Sequence, residues 1–217
     1  MIILCGGTKG GVGKSTIATN LAIIRAKAGY DVLLIDADNQ ETSADFTSLR
    51  TQELGEAGYT CTKLNGAAVH TEGKKLANKY DDLIIDAGGR DTASQRAALV
   101  IADIVLIPFV PRSFDVWTLE PVSQMIAEAR AINTKLKAYA FINRADSSGS
   151  ENEDASNYIK ETKELKFLNK PLGNRKSFGK ASAQGLSVVE VKPKDLKAIA
   201  EIENLYNEIF IHDRIKE

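Results

Sequence analysis

Residues 6–16 read Gly-Gly-Thr-Lys-Gly-Gly-Val-Gly-Lys-Ser-Thr, and no other stretch restricts the fold as tightly. The apolar run Ile2, Ile3, Leu4, Cys5 comes directly before it and the helix-forming run Ile17 to Lys27 directly after it. The segment is therefore the turn between a buried strand and a helix. Its glycines let successive backbone N–H groups converge on an anion, and the helix N-terminus adds the positive end of its dipole. Lys14 reaches the outer phosphates, and the Ser15 hydroxyl is placed to ligate Mg²⁺. Gly10, Gly11, Val12, Gly13, Lys14, Ser15 and Thr16 are thus the expected seat of a nucleoside triphosphate.

One detail departs from the common GxxxxGK(S/T) pattern. Thr8 stands where its first glycine would fall, and a second lysine, Lys9, lies inside the loop. The Lys9 ammonium is a flexible point charge with no phosphate left to serve in its own site, so it meets either solvent or another molecule's phosphates. The run Lys9-Gly-Gly-Val-Gly-Lys-Ser15 resembles the deviant Walker A motif of the ParA/MinD family of P-loop ATPases. That resemblance implies ATP with Mg²⁺ as the ligands, and a Lys9 that crosses a dimer interface to touch the partner's nucleotide.

The 217 residues, with 43% hydrophobic and 26% charged side chains, suit one soluble domain over residues 1–217. The two cysteines, Cys5 and Cys61, have neither metal spacing nor a disulfide framework, and point to a reducing cytosol. The phosphate loop begins too close to Met1 for a secretory leader, and no apolar run approaches the roughly 20 residues that span a bilayer. A protein neither secreted nor integral to a membrane is expected. The net charge of −1 offers no global attraction to nucleic acid or anionic lipid, so any such binding needs a local patch.

Along the chain, Gly29 closes the first helix, and Asp31 to Asp36 reads as a buried strand with carboxylates at both ends. Residues 40–79 are less decided, with helix-like pieces around Thr42 to Leu54 and a short strand from Tyr59 to Leu64. Leu83 to Asp86 is a third buried strand, Thr92 to Ile101 a helix, Ile104 to Ile107 a fourth strand and Asp115 to Ala131 a helix containing Pro121. Ala138 to Ile142 is a fifth strand, Glu153 to Leu165 a helix, and Val188 to Val191 a further apolar piece. A last helix runs from about Lys194 to Ile211, with Leu196, Ile199, Ile202, Leu205 and Ile209 on one face. The alternation predicts an α/β fold, a doubly wound, mostly parallel sheet flanked by helices. Ligands of such sheets sit beyond the strand C-termini, where the phosphate loop, Asp36, Asp86 and Asn143 gather.

Asp86 closes an apolar strand before Gly88-Gly89, the form of a Walker B carboxylate that holds Mg²⁺ directly or through water. In Asp36-Ala37-Asp38-Asn39-Gln40, alternation along an extended segment would turn both carboxylates toward the γ-phosphate. This segment resembles the family's Asp-x-Asp-Pro-Gln signature, with Asn39 in place of proline. The resemblance implies that Asp38 positions the attacking water, that Asp36 supports Mg²⁺ and its waters, and that Asn143 and Pro193 contact adenine. An ordinary strand-end cap and a first-turn proline explain Asn143 and Pro193 as well. Arg90, Asp91, Arg112 and Asp115 resemble switch and interface segments, or are solvated surface.

Between Leu165 and Val189 stand Lys166, Lys170, Arg175, Lys176 and Lys180 and no acid. That is either a solvated basic face or an electrostatic footprint for non-specific DNA, with Lys170, Arg175, Lys176 and Lys180 as the contacts. The similarity to small ParA proteins runs along nearly the whole chain. It implies a slow, partner-stimulated ATPase that dimerises around ATP, binds DNA without sequence preference in the nucleoid, and segregates a plasmid, chromosome or other cargo with a ParB-like or cargo-adaptor partner. No helix-turn-helix is expected before the phosphate loop. A MinD-like membrane cycler would end in a basic amphipathic helix, whereas Leu196 to Glu217 carries more acids than bases. An iron–sulfur reductase of the nitrogenase iron-protein type lacks its cysteines. A ligase of the dethiobiotin synthetase type shares the fold and would answer to a metabolite rather than to DNA.

Overall fold

The computed structural model describes residues 1–111 and 118–212. Its strands are β1 (Ile2–Cys5), β2 (Val32–Ala37), β3 (Thr60–Lys63), β4 (Asp82–Ala87), β5 (Ile104–Phe109), β6 (Lys137–Ala145), β7 (Lys166–Phe167) and β8 (Leu172–Gly173). They line up as β3-β2-β4-β1-β5-β6-β7, with β8 also on β6, and every pairing is parallel. The helices are α1 (Lys14–Lys27), α2 (Thr42–Leu54), α3 (Ala68–Leu76), α4 (Ala93–Ile101), α5 (Leu119–Arg130), α6 (Glu151–Glu161), α7 (Lys176–Ser182) and α8 (Leu196–Asn207), the last continuing into a π-helical turn, Glu208–His212.

A parallel sheet covered on both faces needs strands that are apolar throughout, and β2, β4 and β5 are buried at every residue. Alternation along the strands sorts their side chains into two cores. Leu4, Leu33, Ile35, Leu83, Ile85 and Val105 pack with residues of α3, α4, α5 and α6. Ile3, Cys5, Leu34, Ile84, Leu106 and Phe141 pack with residues of α1, α7 and α8. β1 leads through α1 toward β2 on one side, while β4 leads through α4 to β5 on the other, so the order reverses at β1. A crevice opens at the strand ends there, and the phosphate loop sits in it.

The doubly wound sheet expected from the sequence is the fold observed. α3 is the helix the sequence left undecided, since only Val69 and Gly73 are buried in it. Residues 188–190, in the further apolar piece, form a turn that pairs with no strand among the described residues. Their segment is held instead by the Asn20 amide oxygen, which accepts from Ser187 Oγ at 2.7 Å and Val188 N at 2.9 Å. α6 ends at Glu161, so Leu165 belongs to the connection into β7. Pro121 lies in the first turn of α5, where its missing N–H breaks no helical bond. Arg112, Asp115 and the start expected for that helix fall outside the described residues.

A buried ion pair joins α1, the start of β4 and α8. Arg25, in the last turn of α1, donates from Nε to Asp82 Oδ2 at 2.6 Å and from an Nη to the Tyr206 hydroxyl at 3.1 Å. Its guanidinium lies 3.1 Å from the centre of the Tyr30 ring. The Met1 ammonium reaches the other Asp82 oxygen at 3.2 Å. Arg25 is 3% exposed and Asp82 is fully buried. Removing one partner strands a charge away from water, a loss of about 3–5 kcal/mol. Asp82→Ala is therefore expected to lower unfolding stability by that amount in a denaturant titration, and a loss below about 1 kcal/mol would show that Arg25 finds other partners or water.

Candidate nucleotide site

The phosphate loop leaves β1 at Cys5 and enters α1 at Lys14. Gly13, just before α1, has φ +97°, and a Cβ there would run into Asn143 Nδ2. Only glycine satisfies both conditions. From β6, Asn143 donates that amide to the Val12 carbonyl at 2.6 Å. Under the loop, a Cβ on Gly89 would collide with Gly10 Cα and stand 2.5 Å from Gly10 N, so the loop rests on bare backbone. Gln95, fully buried in α4, accepts from Gly7 N at 2.9 Å and donates to the Arg90 carbonyl at 3.4 Å. Three separate elements thus brace the loop.

Lys14 is 6% exposed, and its ammonium donates to the Lys9 carbonyl at 3.0 Å. Burial lowers its pKa, while the charges of Asp86 and Asp38 pull it back up. Ser15 and Thr16 are half-buried at the start of α1. Lys9 itself is half-buried on the loop.

Asp36 and Asp86 are register partners on the neighbouring strands β2 and β4. Asp86 is fully buried, and Ser43 donates to its Oδ2 at 2.6 Å, whereas its Oδ1 is buried with no hydrogen-bond partner. Burial pushes its pKa to about 6, against the pull of the Ser43 and Ser15 hydroxyls and of Lys14. An orphaned carboxylate oxygen beside a serine hydroxyl and a lysine fits a magnesium ion, which keeps several waters and borrows substrate phosphate oxygens. No cluster of three or more His, Cys, Asp or Glu side chains able to hold a metal occurs among the described residues, so the ion would depend on the nucleotide. Ser15 and Asp86 are the side chains able to hold it.

Asp36 and Asp38 meet different neighbours. The strand ends at Ala37, so alternation stops before Asp38. Asp36 is 1% exposed and accepts from Ala44 N at 2.8 Å and Asp38 N at 3.1 Å. Its two oxygens thereby hold the backbone just past β2 and the first turn of α2. Burial raises its pKa, opposed by those backbone bonds. Asp38 is half-buried, and its Oδ1 lies 3.1 Å from the Cβ position of Gly88. The two acidic loops therefore meet at the glycines after β4.

A cavity of about 240 Å³ opens beside the loop, lined by Gly13, Thr16, Asn143, Arg144, Arg175 and Phe178 among others. Arg144, at a bulge in β6, has φ +52°. Pro193 does not line this cavity. It is exposed and precedes the α8 cap Asp195, because the 192–195 segment packs along α7 through Lys180 Nζ to the Lys192 carbonyl and Ser177 Oγ to Asp195 Oδ2.

The basic tract is free of acids in sequence but not in space. Arg175 forms a two-bond pair with Glu201 of α8, at 2.5 and 2.9 Å, and Lys170 lies 3.8 Å from Glu208. Lys176 and Lys180 remain exposed, and the fold brings exposed Lys192 alongside Lys180 in a surface that continues through Lys194 and Lys197. Asp91 pairs with Arg96 at 2.6 Å, and Arg90 is exposed. Ser43, Gln95 and the close approach of Gly89 to the loop escaped the sequence reading. Only the glycine pair left a local signal, as the turn after the Asp86 strand.

The raised Asp86 pKa has a sign that can be tested. A carboxyl held near 6 rather than 3.8 binds its proton more tightly when folded. Stability therefore falls as pH rises between those values, and the ionised group costs about 3 kcal/mol at neutral pH. In metal-free protein, Asp86→Asn is expected to be more stable than the parent at pH 7, with the gap closing toward pH 4. A gap that does not change with pH would refute this.

The comparisons with known proteins point to a nucleotide-binding family. The CobQ/CobB/MinD/ParA nucleotide binding domain pattern matches residues 3–188. Maintenance of carboxysome distribution protein A from Halothiobacillus neapolitanus is 27% identical over 203 residues, covering 93% of this chain and 92% of that protein. Protein ParA from Rhizobium radiobacter is 25% identical over 210 residues, covering 94% and 91%. Cobyrinic acid a,c-diamide synthase from Mycobacterium smegmatis, solved with ADP and magnesium, shares the fold with a TM-score of 0.77 at 20% identity, covering 100% of this chain and 96% of that one. With its loop at the switch point of the sheet and most of its length inside the matched pattern, the chain belongs to the CobQ/CobB/MinD/ParA nucleotide-binding domain family.

Proposed function

We propose that this protein is an ATP-hydrolysing partition or positioning protein that closes into an ATP-sandwich dimer and binds DNA without sequence preference. The reading rests above all on the Lys9–Ser15 loop braced beside a buried, unpartnered Asp86 oxygen. It is supported by full-length likeness to relatives named for carboxysome distribution and as ParA. A ParB-like or cargo-adaptor protein would trigger a slow hydrolysis, and the cargo is a plasmid, a chromosome or another assembly.

Phosphoryl transfer asks a protein mainly for positioning and charge neutralisation. The loop N–H groups bind the phosphates, and Lys14 exchanges the Lys9 carbonyl for the outer phosphate oxygens. Magnesium, when bound at Ser15 and Asp86, supplies positive charge to those oxygens. Asp38 orients the attacking water, and Asp36 holds the start of α2 in place. Lys9 of each subunit adds its ammonium to the partner's nucleotide. Asn143 steadies the loop at the edge of the cavity proposed for the base.

The exposed lysines of α7 and the 192–197 segment are the DNA surface. Lys176 and Lys180 carry more of it than Arg175, which faces Glu201 of α8, and Lys170, which faces Glu208 of the following π-helical turn. A MinD-like membrane cycle finds less support, because Ala198, Ile202 and Leu205 of α8 are buried in the core. No helix among the described residues is long and apolar enough to cross a membrane.

DNA binding across a salt series with ATP, ADP or no nucleotide tests the reading. ATP is expected to tighten binding, and Lys9→Ala to stay monomeric and lose that response. Lys176→Ala/Lys180→Ala should flatten the log–log salt slope by about 0.9 for each phosphate no longer neutralised. Indifference to ATP, or a Lys9→Ala protein that dimerises normally, contradicts it. Turnover that answers to a small metabolite and ignores DNA would instead indicate a ligase.

A further inference from the structure

The hydrogen bond between Ser43 and Asp86 belongs to no motif and joins the two acidic segments of the site. Asp36 accepts from Ala44 N at 2.8 Å and thereby fixes the first turn of α2. That fixes the neighbouring Ser43, which is fully buried. Asp36 and Asp86 stand opposite each other on adjacent strands, so a side chain held at the start of α2 meets the end of β4. Ser43 Oγ donates to Asp86 Oδ2 at 2.6 Å, and Asp86 Oδ1 is left buried without a partner.

A carboxylate with both oxygens free can rotate about its last side-chain bond, and either oxygen can then face an ion. A short hydrogen bond to one oxygen removes that freedom. We propose that Ser43 is a positioning residue of the magnesium site, holding Oδ2 of Asp86 so that Oδ1 is the oxygen offered to the ion. This rests on the nucleotide–magnesium reading above. It also gives Asp36 a part in metal binding without making it a ligand. Asp36 fixes α2, α2 carries Ser43, and Ser43 sets Asp86. The loop bearing Asp38 lies within the same span, and Asp38 accepts from Gln40 N at 3.2 Å. Movement of that loop against β4 would therefore reach the ion's carboxylate through one hydroxyl.

The test is the Mg²⁺ dependence of fluorescent ATP-analogue binding, with wild type, Ser43→Ala and Ser43→Cys. Alanine removes the hydroxyl without adding volume, and cysteine keeps a weak donor of similar shape. Outer-shell partners of metal sites change metal affinity by roughly 10–100-fold. Ser43→Ala is expected to raise the Mg²⁺ midpoint by about tenfold, with analogue binding in EDTA unchanged and Ser43→Cys falling between. A Ser43→Ala midpoint equal to wild type, or an equal loss of binding in EDTA, overturns the proposal. If wild type itself shows no Mg²⁺-dependent binding, the nucleotide–magnesium reading fails with it, and that result is distinct from a wild-type response that Ser43→Ala shares.

Discussion

Two carboxylates buried side by side at the ends of β2 and β4 set the terms for the whole site. Asp36 and Asp86 face each other in register, 1% and 0% exposed. Burying even one charge is costly unless it is paired or hydrogen-bonded. The chain answers the two in different ways. Asp36 accepts from the backbone N–H of Asp38, just past β2, and from that of Ala44 in the first turn of α2, so its charge anchors that helix start. Asp86 is satisfied at only one oxygen, and burial holds its pKa near 6. An incomplete shell at a buried carboxylate destabilises the folded state in a way that a cation can remove. The sheet supplies the place, because the strand order reverses at β1 and the phosphate loop folds into that crevice.

What the sequence made legible is what depends on neighbours along the chain. A glycine-rich turn between an apolar strand and a helix, and aspartates closing apolar strands, are local signals, and the parallel sheet followed from their alternation. The parts that were hidden depend on contacts across the fold. Ser43 and Asp86 are 43 positions apart, and Gly7 and Gln95 are 88 apart. Neither Ser43 nor Gln95 carries a mark in sequence.

The basic tract shows the same limit from the other side. Counted along the chain it holds no acid, yet α8 packs back on it and sets Glu201 against Arg175 and Glu208 near Lys170. The fold returns cations of its own, because Lys192, Lys194 and Lys197 arrive beside α7 on the segment that Lys180 and Ser177 hold in place. Exposed cations thus lie on α7 and at the start of α8. Pro193 is exposed in the same segment and does not line the cavity beside the phosphate loop.

The central claim is that each nucleotide site is completed by a lysine from a second copy. Mixing Lys9→Ala protein, which keeps its own phosphate seat, with Lys14→Ala protein, which keeps the lysine to lend, tests it directly by ATP hydrolysis. Each variant alone should be inactive, and the mixture should recover hydrolysis from the one complete site of the mixed dimer. A mixture as inactive as its components, or a Lys9→Ala protein that hydrolyses ATP like wild type, would contradict the account.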